Sequence, residues 1–119
     1  MRVLFCGDVV GQPGRKALYA TVKRARRELG VDFVIANGEN AAGGFGITPA
    51  ICEEFFDAGV DVITTGNHVW DKREIIPYFE DERRLLRPHN FPAGTPGSGA
   101  RLFTATSGER VIVINVMLR

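Results

Sequence analysis

Residues 60–71 read Val-Asp-Val-Ile-Thr-Thr-Gly-Asn-His-Val-Trp-Asp, and this stretch decides the fold. Val60, Val62 and Ile63 make a short apolar run, and Gly66 leads directly into Asn67 and His68. A β-branched run of this length ended by glycine predicts a buried strand that delivers polar side chains at its end. The same arrangement occurs twice more upstream. Phe33-Val34-Ile35-Ala36 runs on to Gly38-Glu39-Asn40, and Val3-Leu4-Phe5-Cys6 runs into Gly7-Asp8.

Helical patterns separate the three strands. After Pro13, a residue favoured in a first turn, Leu18, Val22, Ala25 and Leu29 recur at helical spacing. Lys23, Arg24, Arg26 and Arg27 fall on the water side, and Gly30 is the expected stop. Thr48-Pro49 supplies a cap and first-turn pair for a second helix through Phe55-Phe56 to Gly59. Asp71 is placed to cap a short third helix towards Phe79, which Pro77 would bend or shorten. Alternating strands and helices of these lengths predict an α/β fold, a parallel sheet with helices on both faces. Right-handed connections bring the post-strand loops to the carboxyl edge, where such sheets bind ligands. Asp8, Glu39-Asn40 and Asn67-His68 are therefore expected to converge.

Beyond this βαβαβ portion, residues 88–99 are rich in proline and glycine and read as an extended surface loop. A hairpin follows, with arms at 101–106 and 111–117 around Ser107-Gly108. The last residues follow a strongly apolar strand without a covering helix. The expectation is that residues 1–119 are the N-terminal part of one longer domain, or are completed by another chain.

A length of 119 residues, 45% hydrophobic and 24% charged, is that of one globular domain. Fifteen basic and 14 acidic residues leave a net charge of +1, which gives no basic field and argues against a dedicated nucleic-acid surface. Met1-Arg2 leads straight into a short strand, so no signal peptide is expected. No apolar stretch nears the roughly 20 residues that span a bilayer. Cys6 and Cys52 fit no zinc or redox spacing, and a cytoplasmic location is the default expectation.

Asp8, Glu39, Asn40 and Asn67 are oxygen donors of the kind that suit hard or borderline divalent cations. His68 could bind a metal or move a proton near neutral pH. No lysine or arginine lies inside the three motifs to neutralise the carboxylates. Each residue alone has a bland explanation: Asp caps helices, Asn stabilises turns, and a lone His is more often a surface residue. All five at successive strand ends favour a metal site. The glycines before them are expected to let the backbone bend sharply and approach a ligand. The segment 7–14 is glycine-rich but is neither a dinucleotide fingerprint nor a phosphate-binding P-loop. A phosphate at the following helix start, with Arg15, and an ordinary capped helix remain equal alternatives. His89 reads as a loop residue. Trp70 reads as packing over its loop, with base stacking the weaker option.

Gly66-Asn67-His68 resembles the Gly-Asn-His motif of calcineurin-like metallophosphoesterases, and Gly7-Asp8 resembles their first metal-binding aspartate. Two departures, Gly38-Glu39-Asn40 in place of Gly-Asp and Val10 in place of a histidine, match the bacterial YmdB-like branch. So do Gly7-Asp8-Val9-Val10-Gly11 and Gly66-Asn67-His68-Val69-Trp70-Asp71. The resemblance implies a metallophosphoesterase-like layered sheet, truncated here after its N-terminal portion and hairpin. It implies two divalent ions (Fe, Mn or Zn) held by Asp8, Glu39, Asn40 and Asn67, with His68 as the catalytic residue, facing the phosphate as an acid or a transition-state stabiliser. It also implies a phosphodiesterase for cyclic nucleotides of the 2′,3′ type. The later histidine ligands of that family are absent, since His68 and His89 are the chain's two histidines. This chain alone is therefore expected to be inactive. The alternative is a non-catalytic nucleotide- or partner-binding module with an incomplete metal site. A homo-oligomer is left open by the sheet edge that a truncated fold would expose.

Overall fold

Three parallel strands form the centre of the molecule: β1 (Val3–Cys6), β2 (Phe33–Asn37) and β3 (Val62–Thr64), hydrogen-bonded in that order. This computed structural model describes residues 1–118. Beyond β3, Leu85 and Leu86 extend the sheet by a single bridge, through Ile63 N to Arg84 O (2.8 Å) and Leu86 N to Ile63 O (2.9 Å).

The connections are α1 (Gly11–Leu29) and α2 (Pro49–Asp57), and α3 (Ile75–Asp81) follows β3. Helix α1 starts two residues before Pro13, which still falls in the first turn, where a missing N–H costs nothing. Gly30 ends it in the left-handed region at φ 61°. Thr48 caps α2 as expected, its hydroxyl accepting from Ile51 N at 3.2 Å. Asp71 does not cap α3. Its N–H closes a turn onto His68 O (3.0 Å), and the helix begins three residues after it would need to for capping. Pro77 lies in the first turn of α3, so it neither bends nor shortens it.

Side chains sort onto the two faces of the sheet. Leu4, Cys6, Val34, Ala36 and Ile63 pack with Leu18 and Val22 of α1, Cys52 and Phe55 of α2, and Ile75 and Phe79 of α3. Phe33, Ile35 and Val62 pack on the other side with Leu86 and with Phe103, Ala105 and Val113. Those last residues belong to the expected hairpin, β4 (Ala100–Thr104) with β5 (Arg110–Ile114), and the short segment after β4. The α/β class is the one anticipated, but within the described residues the helices share one face and the hairpin covers the other. Strand order explains this. Two right-handed crossovers that step in the same direction place both helices on the same side.

Arg26 departs from its expected place in water. Its guanidinium donates to Gly59 O (2.6 Å) and Asp61 Oδ2 (2.6 Å), and Asp61 also accepts from Val34 N (2.8 Å). This ties α1 to the turn that starts β3. Among the described residues no helix is long and apolar enough to cross a membrane.

Candidate functional site

The backbone ladder continues past the strand ends: Val9 N donates to Asn37 O (3.1 Å) and Gly38 N to Thr64 O (2.9 Å). The three post-strand loops are thereby stacked side by side at the carboxyl edge. Asn40 sits at their centre. Its amide nitrogen donates to Asp8 Oδ1 at 2.8 Å, and its amide oxygen lies 2.6 Å from His68 Nδ1. An amide oxygen only accepts, so Nδ1 carries the proton and Nε2 is left for other chemistry. Glu39 adjoins this chain, its carboxylate accepting from His68 N (3.4 Å) and from Asn37 Nδ2 (3.5 Å). Four of the five sequence-derived residues thus form one connected group. Asn67 is exposed and joins Glu39 and Asn37 in the wall of an open cavity of about 510 Å³.

The glycines of the three motifs act differently from expectation. None of Gly7, Gly38 and Gly66 has a positive φ. Gly66 is needed for space, since a Cβ there would overlap the Glu39 carboxylate. At Gly38 a Cβ would stand 2.8 Å from Ile47 Cδ1 and 3.1 Å from Ile63 Cγ2. The close approach that Gly38 and Gly66 permit is that of the chain to itself, which seats Glu39 against the third loop, whereas a Cβ at Gly7 would meet open space.

Among the described residues neither Asp8 nor Glu39 has an ion-pair partner. Asn37, which sequence reading passed over, adds a buried amide oxygen with no hydrogen-bond partner beside Glu39. Its signal was present: a lone polar residue closing an otherwise apolar strand. A donor set of carboxylate and amide oxygens, with one buried oxygen orphaned, fits a hard or borderline divalent cation. No group of three or more His, Cys, Asp or Glu side chains gathers among the described residues, so the fit is to the oxygen side of a metal site. As found, Asn40 spends its amide on Asp8 and His68.

Three further candidates resolve. Arg15 donates to Ala41 O (2.5 Å) and braces the loop after β2, which leaves the anion-binding option without its cation. Trp70 packs on Phe79 and Phe91, with ring centroids at 5.3 and 6.4 Å, as its packing reading expected. His89 is an exposed loop residue whose N–H donates to Asn115 O (2.6 Å).

The fold is of the phosphoesterase type, shared with the solved structures described below. The profile of the YmdB-like protein family matches residues 4–119, and the chain belongs to that family. It is 45% identical over 119 residues to a Bacillus subtilis protein named 2′,3′-cyclic-nucleotide 2′-phosphodiesterase, covering all of this chain and 45% of that one. A crystal structure of a hypothetical protein from Thermus thermophilus superposes with a TM-score of 0.91 at 42% identity, over 100% of this chain and 46% of the other. One described as a novel phosphatase from Mycoplasma pneumoniae gives 0.77 at 31% identity, over 85% and 37%. The chain spans under half the length of these relatives.

Proposed function

We propose that the protein to which this site belongs is a metal-dependent phosphodiesterase acting on 2′,3′-cyclic nucleotides. The observation that carries the reading is the Asp8–Asn40–His68 hydrogen-bonded chain with Glu39 beside it. The phosphodiesterase name of the Bacillus subtilis relative supports it. Asp8, Glu39 and Asn67 would hold the metal through oxygen. Asn40, the fourth ligand candidate, would offer the metal the second lone pair of the amide oxygen that holds His68 Nδ1–H, and as found it fixes the spacing of Asp8 and His68. Two divalent ions are proposed, with their remaining ligands drawn from outside residues 1–118. Bound metal would supply a hydroxide nucleophile at neutral pH and offset charge on the phosphoryl oxygens.

His68 performs the proton step in this reading. Asn40 holds its Nδ1–H, so the ring meets the substrate through Nε2, and in the imidazolium form, protonated at both nitrogens, it would give the Nε2 proton to the departing alkoxide. The buried Gly66 backbone and the Glu39 carboxylate under His68 N limit movement of the residue. Preorganisation of this kind is what makes a general acid effective.

The test uses the protein at the full length of its relatives, with Mn²⁺ or Fe²⁺, on bis-p-nitrophenyl phosphate and adenosine 2′,3′-cyclic phosphate. His68→Ala should lower kcat by about 10²–10⁴-fold. Asp8→Asn should lower both activity and bound metal. Unchanged rates in both variants would overturn the assignment. Nucleotide binding without turnover or metal would instead identify a binding module.

A further inference from the structure

Phe45 is large, apolar and 61% exposed, yet it stands on a loop braced by its own hydrogen bonds. Gly44 N donates to Asn40 O (3.0 Å), Phe45 N to Ala42 O (3.2 Å) and Ala42 N to Gly46 O (2.9 Å). Gly11 N also donates to Asn40 O (3.1 Å), and Arg15 holds Ala41 O. On either side Ala41 and Ile47 are fully buried. Gly46, at φ +70°, is wedged so closely that a Cβ would come within 3.2 Å of both His68 O and Asp71 Cβ. The loop therefore rests on the backbone of the histidine motif itself. Its three positive-φ glycines, 43, 44 and 46, turn the Phe45 ring outwards instead of into the core.

The ring does not face empty surface at random. Its centroid lies 6.4 Å from that of the His68 imidazole, with the planes inclined at 53°. The exposed phenyl ring is thus a direct neighbour of the imidazole. A nucleoside 2′,3′-cyclic phosphate carries its base one ribose away from phosphorus. With the phosphate at His68, the base reaches an aromatic wall at this separation.

Two other aromatics near the site differ. Trp70 has its indole engaged by Phe79 and Phe91. Phe5, 62% exposed, runs on into the apolar residues Ile114 and Val116 of the same cavity wall and reads as part of a packing surface. Phe45 is flanked by glycines, and its ring stands beside that of His68.

We infer that Phe45 is the stacking platform for the nucleobase of the substrate. The inference rests on the phosphodiesterase reading and extends it from the phosphate to the base. A phenyl platform stacks every base without reading its edge, so it selects nucleosides over base-free esters, and purines over pyrimidines by their larger face.

The experiment compares adenosine 2′,3′-cyclic phosphate with base-free ribose 2′,3′-cyclic phosphate, on the full-length, metal-loaded protein. In Phe45→Ala the ratio of kcat/KM for the nucleotide to that for the base-free ester should fall roughly 5- to 100-fold, chiefly through KM. Phe45→Trp should restore it. Equal losses on both esters would assign the ring to support of His68 and overturn the platform, as would an unchanged ratio. If the wild type hydrolyses neither ester, the phosphodiesterase reading has failed. The platform is then judged by equilibrium affinity for adenosine 2′-phosphate, which Phe45→Ala must weaken if the inference holds.

Discussion

Glu39 is where the residue scale is most sharply constrained. Its carboxylate occupies the space that any side chain at Gly66 would need, and it reaches His68 N and Asn37 Nδ2. Gly66→Ala should therefore act on Glu39 at a distance in sequence of 27 residues, pushing its carboxylate out of place. The expected outcome is loss of metal by the full-length protein, read by elemental analysis, while the melting temperature shifts by only a few degrees. Retained metal with lost activity would show that Glu39 is not a ligand. This dependence also explains what the sequence could tell. Asp8, Glu39, Asn40 and His68 were legible because strand-end position alone determines that they meet. The role of Gly66 was not, because the atom it makes room for comes from another loop. Asn37 went unnoticed for a related reason: its oxygen is distinguished only by having no partner, and that is a property of the packed state.

Between residues and the whole lie the caps and connections that place the loops. Thr48 and Gly30 were readable because they act on their own helix, through one hydroxyl and one left-handed backbone position. Arg26 was not, because Gly59 and Asp61 become its partners only when β3 lies beside α1. The end of α3 depends on a similar contact. Glu82 accepts from Arg84 Nη2 (2.7 Å), Nε (2.8 Å) and backbone N (3.0 Å), and the guanidinium bonds hold its carboxyl below the usual glutamate range. A lowered value in the folded state means that the contribution is present above the unfolded value and is lost as pH falls through the folded one. Arg84 is 42% exposed at its side chain, so screening keeps the contribution to about 0.5–1 kcal/mol. Glu82→Gln should be less stable than the parent by that amount near neutral pH in urea titrations. The difference should shrink towards zero in acid. A gap that persists unchanged in acid would mean that shape, and not charge, fixes the turn.

On the scale of the whole molecule, one three-stranded sheet separates two cores of unequal size. The helical side buries Phe55, Ile47 and Ile63 completely, whereas the hairpin side rests on Phe33, Val62, Leu86, Phe103, Ala105 and Val113. The hairpin was legible as two arms and a turn. Which of its faces turns inward was not, because residues 111–114 are all apolar and carry no polar alternation. Packing decides it: Val113 is buried while Ile112 and Ile114 are 67% and 59% exposed. On the opposite arm Phe103 is buried against Phe33 (ring centroids 6.1 Å apart) and beneath the Arg83 guanidinium, while its neighbour Leu102 is 44% exposed. The two neighbours should therefore answer truncation differently. Phe103→Ala removes a ring from the smaller core and should cost about 3–5 kcal/mol. Leu102→Ala should stay within about 0.5 kcal/mol. Hydrogen exchange adds the spatial test. In Phe103→Ala, protection should fall first in β4 and β5, while the amides of β2, paired on both sides, hold theirs. Uniform loss across β1 to β5 would show that the hairpin and the parallel sheet unfold as one unit, and that the strand-end site depends on both faces of the sheet at once.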